Sequence, residues 1–268
     1  MRIRIATPIS HQFEDSEAGE RLRLASDCLE CRERSVKSLW PGQELFHFDV
    51  NLNHPWTDHV RRELADSLLP KAELRLATFQ MASCCDAPVL VDGMFQPGGK
   101  HYEREEMLGH VRDNVKWLRA LLPKDAELGI ENNNHYPTEA YHHVTTGSFI
   151  SSAVRDNGVR LLLDIAHAQV TAVNTGVPFV DYLSTLPMDR VIQFHICEPG
   201  TKPDGLAYDA HELPSPAMEL EVERLARLWP VRYFTVEYYK DAVKLEGSLK
   251  RFAAIRARLQ LERASSQA

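Results

Sequence analysis

Residues 160 to 170 read RLLLDIAHAQV, a short apolar run that opens on Arg160, closes on Asp164 and is followed three positions later by His167. Apolar runs of four to eight residues between polar ends have the length of buried strands, whereas helices need ten or more. The spacing predicts a strand over Arg160 to Ile165, whose C-terminal end delivers an acid and an imidazole to one place.

Working outward, runs of the same kind lie at Ile3 to Ala6, Leu45 to Val50, Leu74 to Phe79, Glu127 to Glu131, Val191 to Ile196, Leu206 to Tyr208 and Tyr233 to Val236, making eight. Amphipathic stretches separate them. The clearest is Glu103 to Leu122, with Leu108, Val111, Val115, Leu118 and Leu122 spaced by threes and fours. Others cover Ser16 to Leu39, Asp58 to Leu69, Thr138 to Arg155, Ala217 to Leu228 and Gly247 to Leu261, with Pro41-Gly42, Pro70, Pro123, Gly158, Pro187 and Pro230 as breaks. Strands alternating with helices argue for parallel β/α units, and eight such units in 268 residues have the size of a (β/α)8 TIM barrel. A doubly wound sheet is the alternative, but neither G-x-G-x-x-G nor a Walker A sequence follows the first strand. The expectation is one domain over 1–268, with 262–268 as a frayed tail.

The net charge of -7 and the lack of a basic block argue against a nucleic-acid partner. No apolar run approaches the roughly 20 residues of a membrane span, and MRIRIATPIS lacks the apolar core of a signal peptide, so a cytoplasmic protein is expected. Five scattered cysteines (Cys28, Cys31, Cys84, Cys85, Cys197) are unlike a disulfide framework. Cys28-x-x-Cys31 has no second pair to complete a zinc site and reads as ordinary helix positions. Cys84 and Cys85, adjacent at a strand end, read as poor geometry for a shared ligand set.

Active sites of such barrels lie at the C-terminal ends of the strands. Read in order, those ends carry His47 in LFHFDV, Gln80 after LATF, Glu131 after ELGI, Asp164 with His167, His195 in VIQFHI, Asp209 and His211 in YDAH, and Glu237 in FTVEYY. Singly, each has an ordinary reading: Asp164 or Asp209 as a helix cap, His195 as a bonded core histidine, Glu237 as a partner of Lys240. Together, so many acids and imidazoles on one rim repel one another unless cations sit among them, which favours bound metal. Glu131 and Glu237 come from separate strands, and a carboxylate can bridge two metals about 3.5 to 4 Å apart.

The stretches HYEREEMLGHV, LGIENNN, GVRLLLDIAHAQVTAVNTG, LPMDRVIQFHI, DGLAYDAHELPSP and FTVEYYKD, from Gly99 to about Asp241, resemble the multinuclear non-haem iron-dependent oxidative enzymes, the family of the methanobactin-biosynthesis oxidase. The residue pattern is more distantly similar to the metal rim of xylose isomerase-like barrels. The resemblance implies one metal held by Glu131, Asp164, His195 and Glu237, which would be the catalytic set, and a second held by His167, Asp209 and His211. A third would take His47 and share Glu131, although Gln80 replaces a histidine expected there. Members usually carry asparagines where this chain has Ala166 and His167, which makes the rim look more zinc-like.

What the resemblance implies is two or three iron ions and an O2-dependent oxidation of a cysteine-containing peptide or a small anionic metabolite, with a partner protein that presents the substrate. The competing reading is a Zn or Mn isomerase, epimerase or phosphodiesterase acting by Lewis-acid chemistry on a small molecule. A third is a binding module whose metals are structural. Asn132, Asn133, Asn134, His135 and Tyr136 lie just beyond Glu131 as candidates to contact substrate, as do Tyr238, Tyr239 and Lys240, while His54 reads as the cap of a turn.

Overall fold

Strand pairing runs in an unbroken circle in the computed structural model, which describes residues 2–265. The barrel strands are β1 (Arg4–Pro8), β2 (Cys28–Arg32), β3 (Gln43–Asn51), β4 (Leu76–Gln80), β5 (Glu127–Glu131), β6 (Arg160–Asp164), β7 (Val191–Ile196) and β8 (Tyr233–Val236). Every neighbouring pair is parallel, and β8 closes on β1 through Arg4, Ile5 and Ala6 opposite Tyr233, Phe234 and Thr235. The expected barrel is therefore the observed one, and its structural relatives below share it.

One of the eight predicted strands and one predicted helix need correction. Leu206 to Tyr208 does not enter the barrel; it belongs to an antiparallel pair, Glu198–Thr201 with Ala207–Glu212, that rises beyond β7. Conversely, the long helix expected over Ser16 to Leu39 stops at Ala25, and the chain continues as β2. Cys28 and Cys31 are thus strand residues, not helix positions. Asp15 caps that helix at its start, accepting from Glu17 and Ala18 N–H. Beyond Ala25, strand pairing with β1 and β3 holds CLECR extended, whatever its local helical pattern suggests.

Because residues paired across parallel strands point to the same side, the register reveals the interior. Ala6, Cys28, Leu45, Leu76 and Tyr233, with Ile192, form a small apolar cluster at the lower end of the barrel. Steps of two along the strands climb from it into polar ground: Cys28 to Glu30 and Arg32, Leu45 to His47, Leu76 to Thr78, Tyr233 to Thr235 and Glu237. The larger apolar core lies outside the strands, under the helices. There Leu108, Val111, Val115, Leu118 and Leu122, the predicted stripe along helix Arg104–Leu121 and its cap, are buried together with Met107. The last helix runs Ala242–Ser265, so the tail expected to fray from 262 is helical through Ser265; 266–268 lie outside the described residues. Among the described residues no helix is long and apolar enough to cross a membrane.

Candidate metal centre

β6 ends at Asp164 and helix Ile165–Thr175 begins at once, with no loop between them. Asp164 is the N-cap of that helix: its Oδ1 accepts from His167 N–H at 2.8 Å, the capping geometry that satisfies one orphan donor. The cap therefore occupies one oxygen of Asp164 and leaves the other free. Oδ2 is buried with no hydrogen-bond partner and lies 3.6 Å from His167 Nε2. His167, three residues on, shares the first helical turn and so projects to the same side. Its Nδ1 lies 2.9 Å from the carbonyl of Asn132, which can only accept, so Nδ1 keeps a proton and Nε2 is the nitrogen that offers an electron pair once the imidazole gives up its second proton.

The eight predicted residues meet in one cluster, in which seven form a ring of imidazoles and carboxylates and His47 joins it at Glu131. His47 Nε2 lies 3.4 Å from Glu131, Glu131 lies 3.0 Å from His195 Nδ1, and that nitrogen is 3.4 Å from Glu237. Glu237 lies 3.6 Å from His211 Nε2, His211 Nδ1 3.1 Å from Asp209, and Asp209 3.5 Å from His167 Nε2. Asp164 closes the circle, since its carboxylate, His167 and Glu131 have ligand atoms within 4.8 Å of one another. The Asp209-x-His211 pair arrives from the antiparallel excursion, not from a barrel strand. His211 takes a left-handed backbone (φ 44°), an uncommon state for a residue other than glycine, and thereby turns its ring back over Asp209 and Glu237.

β2 adds two residues that strand-end reading passed over. Glu30, fully buried, lies 3.0 Å from His195 Nε2, and Arg32 lies 2.6 Å from Glu30 while also pairing with Glu237. Their signal was present: in CLECR the charges fall two apart, the period of one strand face. Cys197, one residue past β7, donates its thiol to Asp209 at 3.6 Å and shares a ligand-sized cluster with His211 and Glu237.

Supporting contacts fix the ligand atoms. Thr78 donates its hydroxyl to Phe46 O, so its oxygen accepts from His47 Nδ1–H at 2.9 Å and leaves His47 Nε2 facing Glu131. Asn132 brackets Asp164 with its side-chain amide, accepting from its N–H at 2.9 Å and donating to its carbonyl at 3.0 Å. Gln80, in place of the expected histidine, lies 3.4 Å from His47 Nε2 and 3.3 Å from Asp49. Tyr239 donates to Glu237 at 3.3 Å, and Tyr136 lies 3.5 Å from the N–H of Asp209. His54 donates to Ser83 O and His135 bonds Thr145, so neither joins the ring. Lys240 pairs with Glu212 on the excursion.

Charge decides what the ring can hold. Five carboxylates (Glu30, Glu131, Asp164, Asp209, Glu237) face the single guanidinium of Arg32. Without metal, protons fill the gap. Burial disfavours the charge on His195, yet Glu30 and Glu131 outweigh it and lift the imidazole to about 9. His167 is lifted well above its ordinary value against burial by Asp164, Asp209 and Glu131. Burial raises Asp164 to about 6, while it depresses His47 to about 3 and leaves that ring neutral. Divalent cations replace such protons directly, and an orphaned carboxylate oxygen beside the oriented His167 imidazole and Glu131 suits them. The donor set fits the implied metals. The side toward solvent is marked by half-exposed His211 and exposed Asp49.

A family model described as RiPP precursor modification enzyme MbnB/TglH/ChrH matches residues 102–260, the region of the sequence resemblance. A UPF0276 protein of Caulobacter vibrioides is 30% identical over 166 residues, covering 61% of this chain and 58% of that protein. A UPF0276 protein of Streptomyces avermitilis is 30% identical over 120 residues, 44% of this chain and 24% of that protein. The chain therefore spans less than two thirds of the length of the curated relatives it matches. Among solved structures, a xylose isomerase domain protein from Alicyclobacillus acidocaldarius superposes with a TM-score of 0.62 at 14% identity, covering 96% of this chain and 99% of that one. D-psicose 3-epimerase, solved in the presence of D-fructose, gives 0.58 at 14% identity with the same coverage. At such identities the likeness is one of fold.

Proposed function

The chain belongs to the RiPP precursor modification enzyme family MbnB/TglH/ChrH, and from that premise we propose that it is a multinuclear iron, O2-dependent oxidase acting in the cytoplasm on a cysteine-containing peptide presented by a partner protein. The observation that carries the reading is the closed ring of imidazoles and carboxylates with Asp164 Oδ2 left unpartnered inside it. Two ions would be held by Glu131, Asp164, His195 and Glu237 and by His167, Asp209 and His211, with His47 available to a third. Bound iron would supply the redox chemistry, since mixed nitrogen and oxygen ligation with open positions suits O2-activating non-haem iron.

The chain's own part is positional. Thr78 and the Asn132 carbonyl hold His47 and His167 in the tautomer that presents Nε2. Burial of Glu131, Asp164, His195 and Glu237 keeps water from their charges and strengthens every interaction among them. His211 and Asp209, on the excursion, stand where a substrate thiolate would enter, and Arg32 steadies Glu237 from below.

Anaerobic reconstitution with Fe2+, metal analysis, Mössbauer spectroscopy and O2 uptake with a cysteine-bearing precursor peptide test the reading. Two or more coupled irons and peptide-dependent O2 consumption are expected. A second reading, a divalent-metal isomerase or epimerase, draws support from the sugar epimerases that share the fold over nearly the whole chain. Stoichiometric zinc or manganese with oxygen-independent turnover would replace the first reading with that one.

A further inference from the structure

Beyond β4 the chain bends at Cys84 instead of continuing extended, so the two cysteines are not held in the strand-end geometry that reads as poor for a shared ligand set. Cys84 and Cys85 bring their sulfurs to 4.0 Å, and His101 Nδ1 lies 3.8 Å from Cys84 Sγ. All three donor atoms fall within 4.8 Å of one another, and the group shares no residue with the ring in the barrel. Both cysteines are buried and His101 is exposed. With zinc–sulfur and zinc–nitrogen bonds of about 2.3 and 2.0 to 2.1 Å, a tetrahedral ion separates two sulfurs by about 3.8 Å and sulfur from nitrogen by about 3.6 Å. The two spacings made by Cys84 need close by only about 0.2 Å, and Cys85 and His101 lie within 4.8 Å of each other.

The backbone that carries these side chains is already tied down. Cys84 N–H donates to Ala140 O at 2.9 Å, and its carbonyl accepts from Tyr102 N–H at 2.8 Å. Cys85 N–H donates to Ser83 Oγ at 3.0 Å and its backbone pairs with His101 in an isolated antiparallel bridge. Gly99, at φ +72°, permits the close approach: a Cβ there would lie 2.1 Å from Asp86 Oδ1. Little ordering entropy remains for a ligand to overcome, the condition that favours tight binding.

We propose that Cys84, Cys85 and His101 form a separate zinc site at the rim of the barrel, completed by exposed His142, whose ring centroid lies 6.3 Å from that of His101. Zn2+ binds as both thiols release their protons to solvent, with no change of oxidation state. The bound ion ties the ends of the segment holding the hairpin Val89–Val91 with Met94–Gln96 to the loop after β5, through Ala140 and His142. The site is independent of the reaction proposed above.

The test uses the full chain, stripped of metal and titrated anaerobically with Co2+, whose sulfur-to-cobalt charge-transfer absorption reports thiolate ligation. Because Cys197 lies in the barrel ring, C197S and H167A are the controls. Wild type, C197S and H167A should all show the band and lose it to one equivalent of Zn2+, whereas C84S/C85S should lack it and bind one ion fewer. H101A, a change at an exposed residue, should keep the circular dichroism of the wild type and bind Zn2+ at least tenfold more weakly. No band in the wild type, a band that survives C84S/C85S, or unchanged zinc affinity in H101A would overturn the site. Should C84S/C85S fail to fold, H101A decides alone.

Discussion

Replacing His167 by Ala removes the imidazole that stands between Asp164 at 3.6 Å and Asp209 at 3.5 Å. In the metal-free protein the raised His167 is a buried cation, and losing one partner of a buried pair commonly costs about 3 to 5 kcal/mol. Here the loss should be smaller. Asp164 already titrates near 6, held down in part by His167, so without that imidazole it rises further and takes up a proton at pH 7 instead of remaining charged. The metal-bound state has no such relief. Disturbing a residue that merely orients a ligand costs about 10- to 100-fold in metal affinity, so deleting the ligand itself should exceed 100-fold, or about 2.7 kcal/mol. The assay is chelator competition with elemental analysis on anaerobically loaded protein, alongside thermal unfolding of the metal-free form. The expected result is one ion fewer per chain in a variant that remains folded. Unchanged stoichiometry and affinity in a folded H167A would remove His167 from the ligand set and, with it, the two-centre assignment.

Other consequences are open to measurement. Metal affinity should rise about tenfold per pH unit for each proton displaced, levelling off above about pH 9, where His195 is already free of its proton; isothermal titration in buffers of different ionisation heat counts those protons. Since the folded value of His195 lies above its unfolded one, its stabilisation of the metal-free protein is complete below about pH 6.5 and is lost as pH rises through about 9, so the melting temperature should fall between pH 7 and 10. R32M strips the guanidinium from Glu30 and Glu237, both buried, and should destabilise the metal-free protein by several kcal/mol in urea unfolding, with bound divalent metal restoring part of the loss. At Gly147, the first residue of helix Gly147–Asp156, a Cβ would lie 1.8 Å from Thr185 Oγ1, 2.4 Å from its Cβ and 2.9 Å from its backbone carbon, so G147A should cost about 1 to 3 kcal/mol in unfolding free energy, and G147A/T185A, which keeps the last two contacts, should recover only part of it.

How legible the site is in the chain depends on how local its causes are. RLLLDIAHAQV announces its strand, its end and its two polar groups, because an apolar run of strand length and the cap that follows it are local events. The same holds for Glu131, His195 and Glu237, each close to the end of a run whose apolar character is unmistakable, and for His47 within such a run. CLECR shows the opposite case. Five residues with two charges and two cysteines have no strong preference of their own, and hydrogen bonding to β1 and β3 on either side makes them a strand. Glu30 and Arg32 thus reach the ring only because the barrel closes. The count of eight strands came out right while one member was exchanged for CLECR, since Leu206 to Tyr208 has a strand's composition but pairs with Glu198–Thr201 outside the barrel. The division of Asp164 between a cap and a free oxygen, the left-handed turn at His211, and the meeting of Cys84, Cys85 and His101 all depend on atoms that distant segments bring together. Chain composition and periodicity set which residues are available as strands, helices and ligands. Closure of the circle sets which of them face one another, because side-chain direction inside a barrel follows from the register of neighbouring strands and not from any stretch read alone.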